Sequence, residues 1–124
     1  MNKRILVADD ESFMHRLLHH HLSRAGYEVV SVSSGSEAVA RAASDAPQLV
    51  VMDVMMGGLD GLAALKELKQ SDATREIPVI LMTASAQITR KQAEESGASA
   101  FFTKPFSPTQ LLLEVKQLIA KAAN

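Results

Sequence analysis

The stretch VVMDVMMGGLDG, residues 50–61, sets an apolar run against a carboxylate and then a glycine-rich loop. The run predicts a buried strand over residues 49–52, because strands of a parallel sheet are covered on both faces and read as continuous apolar segments. Asp53 stands where this strand ends, and a buried strand offers no partner for an isolated negative charge. Asp53 is therefore either a turn or cap residue for the loop or part of a functional site.

Short apolar runs alternate with segments of helical periodicity on both sides of this stretch. The predicted strands cover residues 5–8, 27–32, 49–52, 79–82 and 100–103. The predicted helices cover residues 12–25, 34–44, 61–70, 86–96 and 108–122, with capping-box patterns at Ser34 and Glu37 and at Ser107 and Gln110. Strict alternation of five strands and five helices predicts an α/β fold, a doubly wound parallel sheet with helices on both faces.

The first predicted helix combines an apolar face with four histidines. Phe13, Leu17, Leu18, Leu22 and Ala25 recur at helical spacing and predict the face that packs on the sheet. His15 and His19 lie four residues apart, a spacing that can bind a metal ion. A solvated face is the favoured interpretation, because three of the four histidines fall opposite these apolar residues.

Length and composition indicate one ordinary globular domain over residues 1–124. Hydrophobic residues make up 47% and charged residues 22%, and the net charge of -1 gives no indication of nucleic-acid or membrane binding. The absence of cysteine excludes disulfides and thiolate metal sites. No apolar run has the length of a signal peptide or of a membrane span, so the expected location is the cytoplasm.

Polar side chains follow four of the five predicted strands. They are Asp9 and Asp10 (with Glu11 next), Asp53, Thr83, and Lys104 with Pro105. Ligands of open α/β sheets bind beyond the carboxyl ends of the strands, and parallel strands place all those ends at one edge. The sequence therefore predicts that three carboxylates, one hydroxyl and one ammonium face a single crevice.

These residue types suggest metal-assisted phosphoryl chemistry. Clustered carboxylates repel unless a cation is bound, and an all-oxygen set suits Mg²⁺ better than Zn²⁺. Lys104 provides a charge of the kind that binds phosphate, and Thr83 provides a hydroxyl donor. Asp53 could then be a nucleophile, since aspartate forms aspartyl-phosphate intermediates.

Each residue taken alone has a simpler interpretation. An aspartate at a strand end is more often a turn or cap residue, and so is an Asp-Asp pair. Thr83 is equally suited to be the N-cap of the next helix. Lys-Pro is most often a turn. The combination at four of five strand ends favours the functional site.

These motifs together resemble the receiver domain of two-component response regulators. The residues that carry the resemblance are Asp9-Asp10, Val50-Val51-Met52-Asp53, Gly58-Leu59-Asp60-Gly61, Thr83-Ala84 and Lys104-Pro105-Phe106. The resemblance covers essentially the whole chain. It implies a flavodoxin-like fold with strand order 2-1-3-4-5, an order that the periodicity does not provide.

The resemblance also implies a phosphoacceptor and a metal site. Asp53 matches the residue that takes a phosphoryl group from the phosphohistidine of a sensor histidine kinase or a histidine phosphotransfer protein. Asp10 matches a direct Mg²⁺ ligand, and Asp9 matches one that acts largely through water. Met55 matches the position whose backbone carbonyl completes the metal site.

Three further positions match residues that contact the phosphoryl group or change conformation in response to it. Thr83 matches the switch hydroxyl that turns toward it, and Lys104 matches the lysine that contacts it. Phe101 matches the switch aromatic, which swings inward in the active state. The bond between Lys104 and Pro105 resembles the cis peptide of the family.

One position departs from the family pattern. Gly57 stands where the family usually has proline, and glycine loses more conformational freedom on ordering. We expect a looser loop and somewhat weaker metal and phosphoryl affinity. Met55 and Ser85 match positions that tune the dephosphorylation rate in the family that the chain resembles. The predicted helix 86–96 has Ile88 as its one large apolar residue, which indicates an element of low stability.

Three functions compete at this point. The favoured one is a signalling switch that catalyses its own phosphorylation and dephosphorylation and controls an output partner, without acting as an enzyme on a separate substrate. A Mg²⁺-dependent phosphatase of the haloacid-dehalogenase type would need a second aspartate where Met55 stands. A non-phosphorylated binding module is disfavoured because the acidic, Thr and Lys positions are all kept. The output, the oligomeric state (a homodimer is a family-level option) and the choice between a complete regulator and an excised domain stay open.

Overall fold

The computed structural model describes residues 3–56, 60–84 and 89–122. Within these ranges the chain alternates five strands with five helices. The strands are β1 (Arg4–Ala8), β2 (Glu28–Val32), β3 (Leu49–Asp53), β4 (Val79–Thr83) and β5 (Ala100–Thr103). The helices are α1 (Ser12–Arg24), α2 (Gly35–Asp45), α3 (Gly61–Gln70), α4 (Arg90–Glu95) and α5 (Pro108–Ala122).

The five strands form one parallel sheet in the order β2-β1-β3-β4-β5. This order confirms the flavodoxin-like fold. The predicted strand limits are correct to within one residue. Helix α4 begins at Arg90 in the described part of the chain, and the first predicted residues of that helix, including Ile88, lie outside the described residues.

The sheet separates two apolar cores, because successive side chains of a strand point to opposite faces. On one face, Leu6, Val50, Met52 and Leu81 pack with buried residues of α2, α3 and α4. On the other face, strand residues pack against the two helices α1 and α5; the buried strand members are Ile5, Val7, Leu49, Val51, Ile80, Met82 and Ala100. Both faces of the central strands are thus buried, which accounts for their continuous apolar sequence.

The apolar face of α1 differs from the predicted one. Phe13 is 62% exposed, whereas Met14, Leu18 and Leu22 are buried against the sheet. These three residues are spaced by four, so they follow one stripe along the helix. Leu17 lies at the margin of this stripe and is half-buried. The prediction that Phe13 packs on the sheet is therefore wrong.

Two predicted capping serines begin their helices as expected. The Ser34 hydroxyl accepts a hydrogen bond from the amide of Glu37, and the Ser107 hydroxyl accepts one from the amide of Gln110 at 3.2 Å. The Glu37 carboxylate bonds back to the amide of Ser33 at 3.2 Å. Each cap satisfies a backbone donor at the start of a helix that would otherwise lack a partner. In the described part of the chain, no helix has the length and apolar content needed to cross a membrane.

Two leucines of α5 provide a matched test of the core. Leu111 is 1% exposed and Leu113 is 55% exposed. We expect Leu111→Ala to lower the free energy of unfolding by about 2–5 kcal/mol, because the substitution leaves a cavity under the sheet. Leu113→Ala is expected to change it by less than about 0.5 kcal/mol. Urea denaturation of both variants measures the difference, and equal losses would contradict the burial of this helix face.

Candidate functional site

The predicted carboxylates meet at the carboxyl edge of the sheet. Asp9, Asp10 and Asp53 each offer an oxygen atom, and these atoms lie within 4.8 Å of one another. They meet because β1 and β3 are neighbours, with Ala8 paired to Met52, so the residues that follow the two strands are adjacent. Asp9 and Asp53 are buried, whereas Asp10 is exposed. The structure thus brings the predicted acidic residues together.

Asp9 and Asp53 also act as turn residues. One oxygen of Asp9, Oδ1, accepts a hydrogen bond from the amide of Glu11 at 2.9 Å. The corresponding Oδ1 of Asp53 accepts one from the amide of Met55 at 3.2 Å. The two alternatives for Asp53 are therefore not exclusive, since one oxygen shapes the turn while the other is directed to the site.

Lys104 joins the acidic residues from the end of β5. Its Nζ donates to Asp9 Oδ2 at 2.9 Å, to Glu11 Oε1 at 3.0 Å and to Asp53 Oδ2 at 3.1 Å. Its backbone amide donates to the carbonyl oxygen of Thr83 at 2.8 Å, which fixes the end of β5 beside β4. The peptide bond between Lys104 and Pro105 is cis, as the resemblance implied.

Burial and ion pairing act on the charges of this cluster in opposite directions. Burial raises the pKa of the Asp53 carboxyl above its usual range, although the hydrogen bond from Lys104 opposes this shift. Burial alone would lower the pKa of Lys104. Its hydrogen bonds to Asp9, Glu11 and Asp53 outweigh this effect and raise the pKa above the usual lysine value. Lys104 is therefore a permanent cation at the edge of the sheet.

Thr83 lies at the end of β4, where the functional interpretation placed it. The residue is fully buried, and in the sheet it pairs with Thr103 of β5. The N-cap of α4 is Thr89, whose hydroxyl accepts a hydrogen bond from the Gln92 amide while the Gln92 side chain accepts one from the Thr89 amide. Thr89, and not Thr83, is thus the N-cap of the described helix α4.

Gly61 allows the start of α3 to approach the backbone of Asp53. A Cβ atom at position 61 would overlap the Asp53 carbonyl oxygen and lie 2.7 Å from the Cα of Val54. The Gly61 amide donates to the Val54 carbonyl oxygen at 2.9 Å. Position 61 therefore requires glycine for steric reasons. Gly57, which stands where the family usually has proline, and Gly58 lie outside the described residues.

Phe101 is buried at the edge of the core beneath α4. Its ring packs in the cluster that includes Leu81 and Ala93, and the Arg90 guanidinium carbon lies 5.9 Å from the ring centroid. This contact is a cation–π interaction between α4 and β5. The side chain already occupies an inward position, and its movement stays a prediction.

The acidic edge fits a hard divalent cation in its donor chemistry. The available atoms are carboxylate oxygens from Asp9, Asp10 and Asp53, and Mg²⁺ prefers such oxygen ligands. The exposed Asp10 leaves this side of the cluster open to water, and Mg²⁺ usually keeps several waters. Met55 follows in the same loop with its side chain exposed, so its backbone remains the predicted contributor.

A family model described as the response regulator receiver domain matches residues 5–116. This chain belongs to that family. The match runs from β1 into α5 and includes every residue placed at the edge of the sheet.

Similar proteins place this receiver domain in two-component signalling. It is 38% identical to the alkaline phosphatase synthesis transcriptional regulatory protein PhoP of Bacillus subtilis, over 98% of this chain and 50% of PhoP. It is 44% identical to the response regulator PleD of Caulobacter vibrioides, over 95% of this chain and 26% of PleD. The chain thus spans half or less of these curated relatives.

Solved structures agree with the fold of this receiver domain. The signal receiver domain of a histidine kinase from Syntrophus aciditrophicus has a TM-score of 0.88 and 35% identity, over 96% of this chain and 91% of that one. The chemotaxis response regulator CheY4 of Vibrio cholerae has a TM-score of 0.86 and 25% identity, over 95% of this chain and 99% of that one.

Two residues near the site were missed by the reasoning from sequence. His15 was assigned to a solvated face, as is correct for the exposed His19 and His20. Its Nε2 instead donates to the Asp9 carbonyl oxygen at 2.5 Å, and its buried Nδ1 has no partner among the described residues. Glu11 was noted only as the residue after the acidic pair. The sequence holds a signal for both, since each lies within six residues of Asp9, Glu11 as the N-cap of α1 and His15 in its first turn.

Substitution at Gly61 tests the backbone contact with Asp53. We expect Gly61→Ala to lower the free energy of unfolding by roughly 1–3 kcal/mol, because the added methyl group must displace the Asp53–Val54 backbone. Urea denaturation measures the effect, with the exposed Lys66→Ala on the same helix as control. A Gly61→Ala variant as stable as the control would contradict the close approach.

The raised pKa of Asp53 predicts how its charge affects stability without metal. The folded state holds this proton more tightly than the unfolded chain, so stability falls as the pH rises from the ordinary carboxyl range through the raised pKa. In EDTA at pH 7 the ionised carboxylate therefore disfavours folding. We expect Asp53→Asn to raise the melting temperature by a few degrees, a gain that shrinks toward about pH 3.5.

Asp45 provides the control for this measurement. Its hydrogen bond with Arg41 holds the pKa of that carboxyl below its usual range, so its ionised form favours folding. Asp45→Asn should therefore give no gain at pH 7. A melting temperature of Asp53→Asn at or below that of the parent would contradict the expected sign.

Proposed function

We propose that this receiver domain is a phosphorylation switch whose phosphoacceptor is Asp53. The phosphoryl donor is a sensor histidine kinase or a histidine phosphotransfer protein of a two-component or phosphorelay system. The observation that carries the proposal is the buried Asp53 carboxylate, paired to the Lys104 ammonium at 3.1 Å and set beside Asp9 and Asp10. Residues 1–124 act as one receiver domain in this proposal.

Asp53 performs the covalent step. A carboxylate oxygen attacks the phosphorus of the phosphohistidine, the phosphorus–nitrogen bond breaks, and the imidazole leaves with the electron pair of that bond. Lys104 donates hydrogen bonds to the phosphoryl oxygens and offsets their charge. Burial favours this step, since a carboxylate that has lost its hydration shell needs less desolvation before it attacks.

The residues that would hold Mg²⁺ are Asp9, Asp10, Asp53 and the backbone carbonyl of Met55. Bound there, Mg²⁺ supplies positive charge that offsets the negative charge of the transferred group. The chain itself keeps the carboxylates in place through the turn hydrogen bonds of Asp9 and Asp53. Lys104 limits their mutual repulsion before the cation arrives.

The switch would pass from Thr83 and Phe101 to the surface near α4. The Thr83 hydroxyl turns to the phosphoryl group, and Phe101, which is already buried beneath α4, is then held in its inward position. Within the described helix Arg90–Glu95, Ala93 is the one buried residue, so few apolar contacts hold α4 against a shift. The Arg90 contact with Phe101 joins the two elements.

The altered surface controls an output domain or a separate protein partner. The relatives PhoP and PleD are longer than this chain, and one is named a transcriptional regulatory protein. A homodimer through α4, β5 and α5 is one form that this output could take. The domain acts on no separate substrate and does not bind nucleic acid or membranes directly. Its expected location is the cytoplasm.

Intact mass after incubation with Mg²⁺ and acetyl phosphate tests this function. We expect the parent to gain the mass of one phosphoryl group, and we expect no gain in EDTA or in Asp53→Asn. Thr83→Ala should still gain the group, because Asp53 is intact, but should lose the accompanying change in hydrogen exchange of α4. A Mg²⁺-dependent gain that persists in Asp53→Asn would assign the acceptor elsewhere.

A receiver that accepts the phosphoryl group from its kinase but not from small phosphodonors would show no mass gain with acetyl phosphate, as would a module that is never phosphorylated. Binding of beryllofluoride with Mg²⁺, followed by ¹⁹F NMR, separates this case from a module that is never phosphorylated. The parent is expected to bind, and absence of binding would refute the proposal.

A further inference from the structure

The Lys104 ammonium has three carboxylate partners, and Glu11 differs from the other two. Asp9 and Asp53 are buried at the ends of neighbouring strands. The Glu11 side chain is 58% exposed and reaches Lys104 from the start of α1, at 3.0 Å. Glu11 also stands outside the group of carboxylates that offer oxygens to a common cation. Among the described residues, the one observed partner of the Glu11 carboxylate is the Lys104 ammonium.

An ammonium group has three donors, and in this structure the carboxylates of the described residues occupy all three. A phosphoryl group on Asp53 needs hydrogen bonds from the same ammonium. One of the existing bonds must then be released or shared. The question is which carboxylate can lose its bond at the smallest penalty.

Burial decides between the carboxylates. Asp9 is 0% exposed, so water cannot replace the hydrogen bond that it would lose, and its release is unfavourable. Glu11 is exposed, and water replaces the lost bond at little penalty. The bond between Asp53 and Lys104 passes to the phosphoryl oxygens when Asp53 is modified, and a second bond from Lys104 to these oxygens must displace either Asp9 or Glu11. Glu11 is therefore the partner that competes with the phosphoryl group.

We infer that Glu11 is a positioning residue that holds Lys104 in the unphosphorylated domain and competes with the phosphoryl group on Asp53 for its ammonium. The inference rests on the proposed function of Asp53 as phosphoacceptor. The Glu11 side chain contacts Lys104 and none of the three clustered aspartates, so its charge acts on the site through Lys104. It keeps Lys104 in place and weakens the hold of Lys104 on an incoming anion.

This role has opposite consequences for cations and anions at the site. Without the Glu11 charge, the positive charge of Lys104 is less compensated, so a cation at Asp9, Asp10 and Asp53 is bound less tightly. The same uncompensated ammonium binds an anionic phosphoryl group more tightly. A merely structural role would weaken both, because damage to the loop after β1 would disturb every ligand.

The test uses Glu11→Gln, which removes the charge and keeps an acceptor oxygen. We expect its Mg²⁺ dissociation constant, from calorimetry, to rise roughly two- to fivefold, as for loss of one exposed charge pair. At saturating Mg²⁺, its beryllofluoride dissociation constant should fall by a similar factor. Glu11 begins α1 without a side-chain cap bond, so the substitution removes no helix cap.

Glu67→Gln is the matched control, with the same change of charge. Glu67 is exposed on α3, six residues beyond Gly61 and thus about 9 Å further along the helix axis. Both of its dissociation constants should equal those of the parent. In metal-free protein, exchange of the Lys104 ammonium protons with solvent should be several-fold faster in Glu11→Gln than in the parent and in Glu67→Gln.

The outcomes separate this inference from the proposed function. Opposite shifts in Glu11→Gln, with an unchanged control, support the inference. Parallel losses, or values equal to those of Glu67→Gln, overturn it while leaving Asp53 as the acceptor. Failure of the parent itself to bind beryllofluoride refutes the proposed function, and the competition by Glu11 falls with it.

Discussion

A strand that is covered by helices on both faces has room for polar groups only at its ends. This constraint governs the whole molecule. The central strands β1, β3 and β4 are apolar between their ends, and the polar residues at their carboxyl ends lie at one edge because all strands run parallel. The position of the site therefore follows from the topology of the sheet, because its residues lie at strand ends and not in the middle of a strand.

The same edge gathers negative charge that the core cannot tolerate unpaired. Lys104 resolves this problem at a distance of 95 residues from Asp9, since the ends of β1 and β5 meet at the same edge. The resulting balance is incomplete. The pKa of Lys104 is raised, which favours its charged form, whereas the raised pKa of Asp53 disfavours its ionised form. A further cation beside Asp53 would favour its ionised form.

The sequence allowed the class of fold and most of the site to be predicted, for a physical reason. Strands, helices and strand ends leave patterns in the sequence, and these patterns alone place Asp9, Asp10, Asp53, Thr83 and Lys104 at one edge. The order of the strands came from the family resemblance, because alternation alone fits several orders. The sequence predicts Lys104 as a member of the cluster, but not that its ammonium bonds to three carboxylates.

Other features leave no such pattern. The bond from His15 to the Asp9 carbonyl depends on a backbone acceptor, which every residue has. The reach of Glu11 to Lys104 depends on side-chain conformation across 93 residues of sequence. Phe13 and Met14 are both apolar neighbours at the start of α1, and only the rotation of the helix on the sheet decides which one is buried. These choices are made by tertiary packing.

The contact at Gly61 has a consequence for how this domain can change over time. It joins the first residue of α3 to the main chain of Asp53 and Val54 without any side chain. Substitutions elsewhere can alter the charge, size or polarity of a contact by degrees. A contact made of backbone alone offers no such gradation. The outer faces of the helices can vary toward different partners, whereas the backbone junction beside Asp53 persists only as long as residue 61 is glycine.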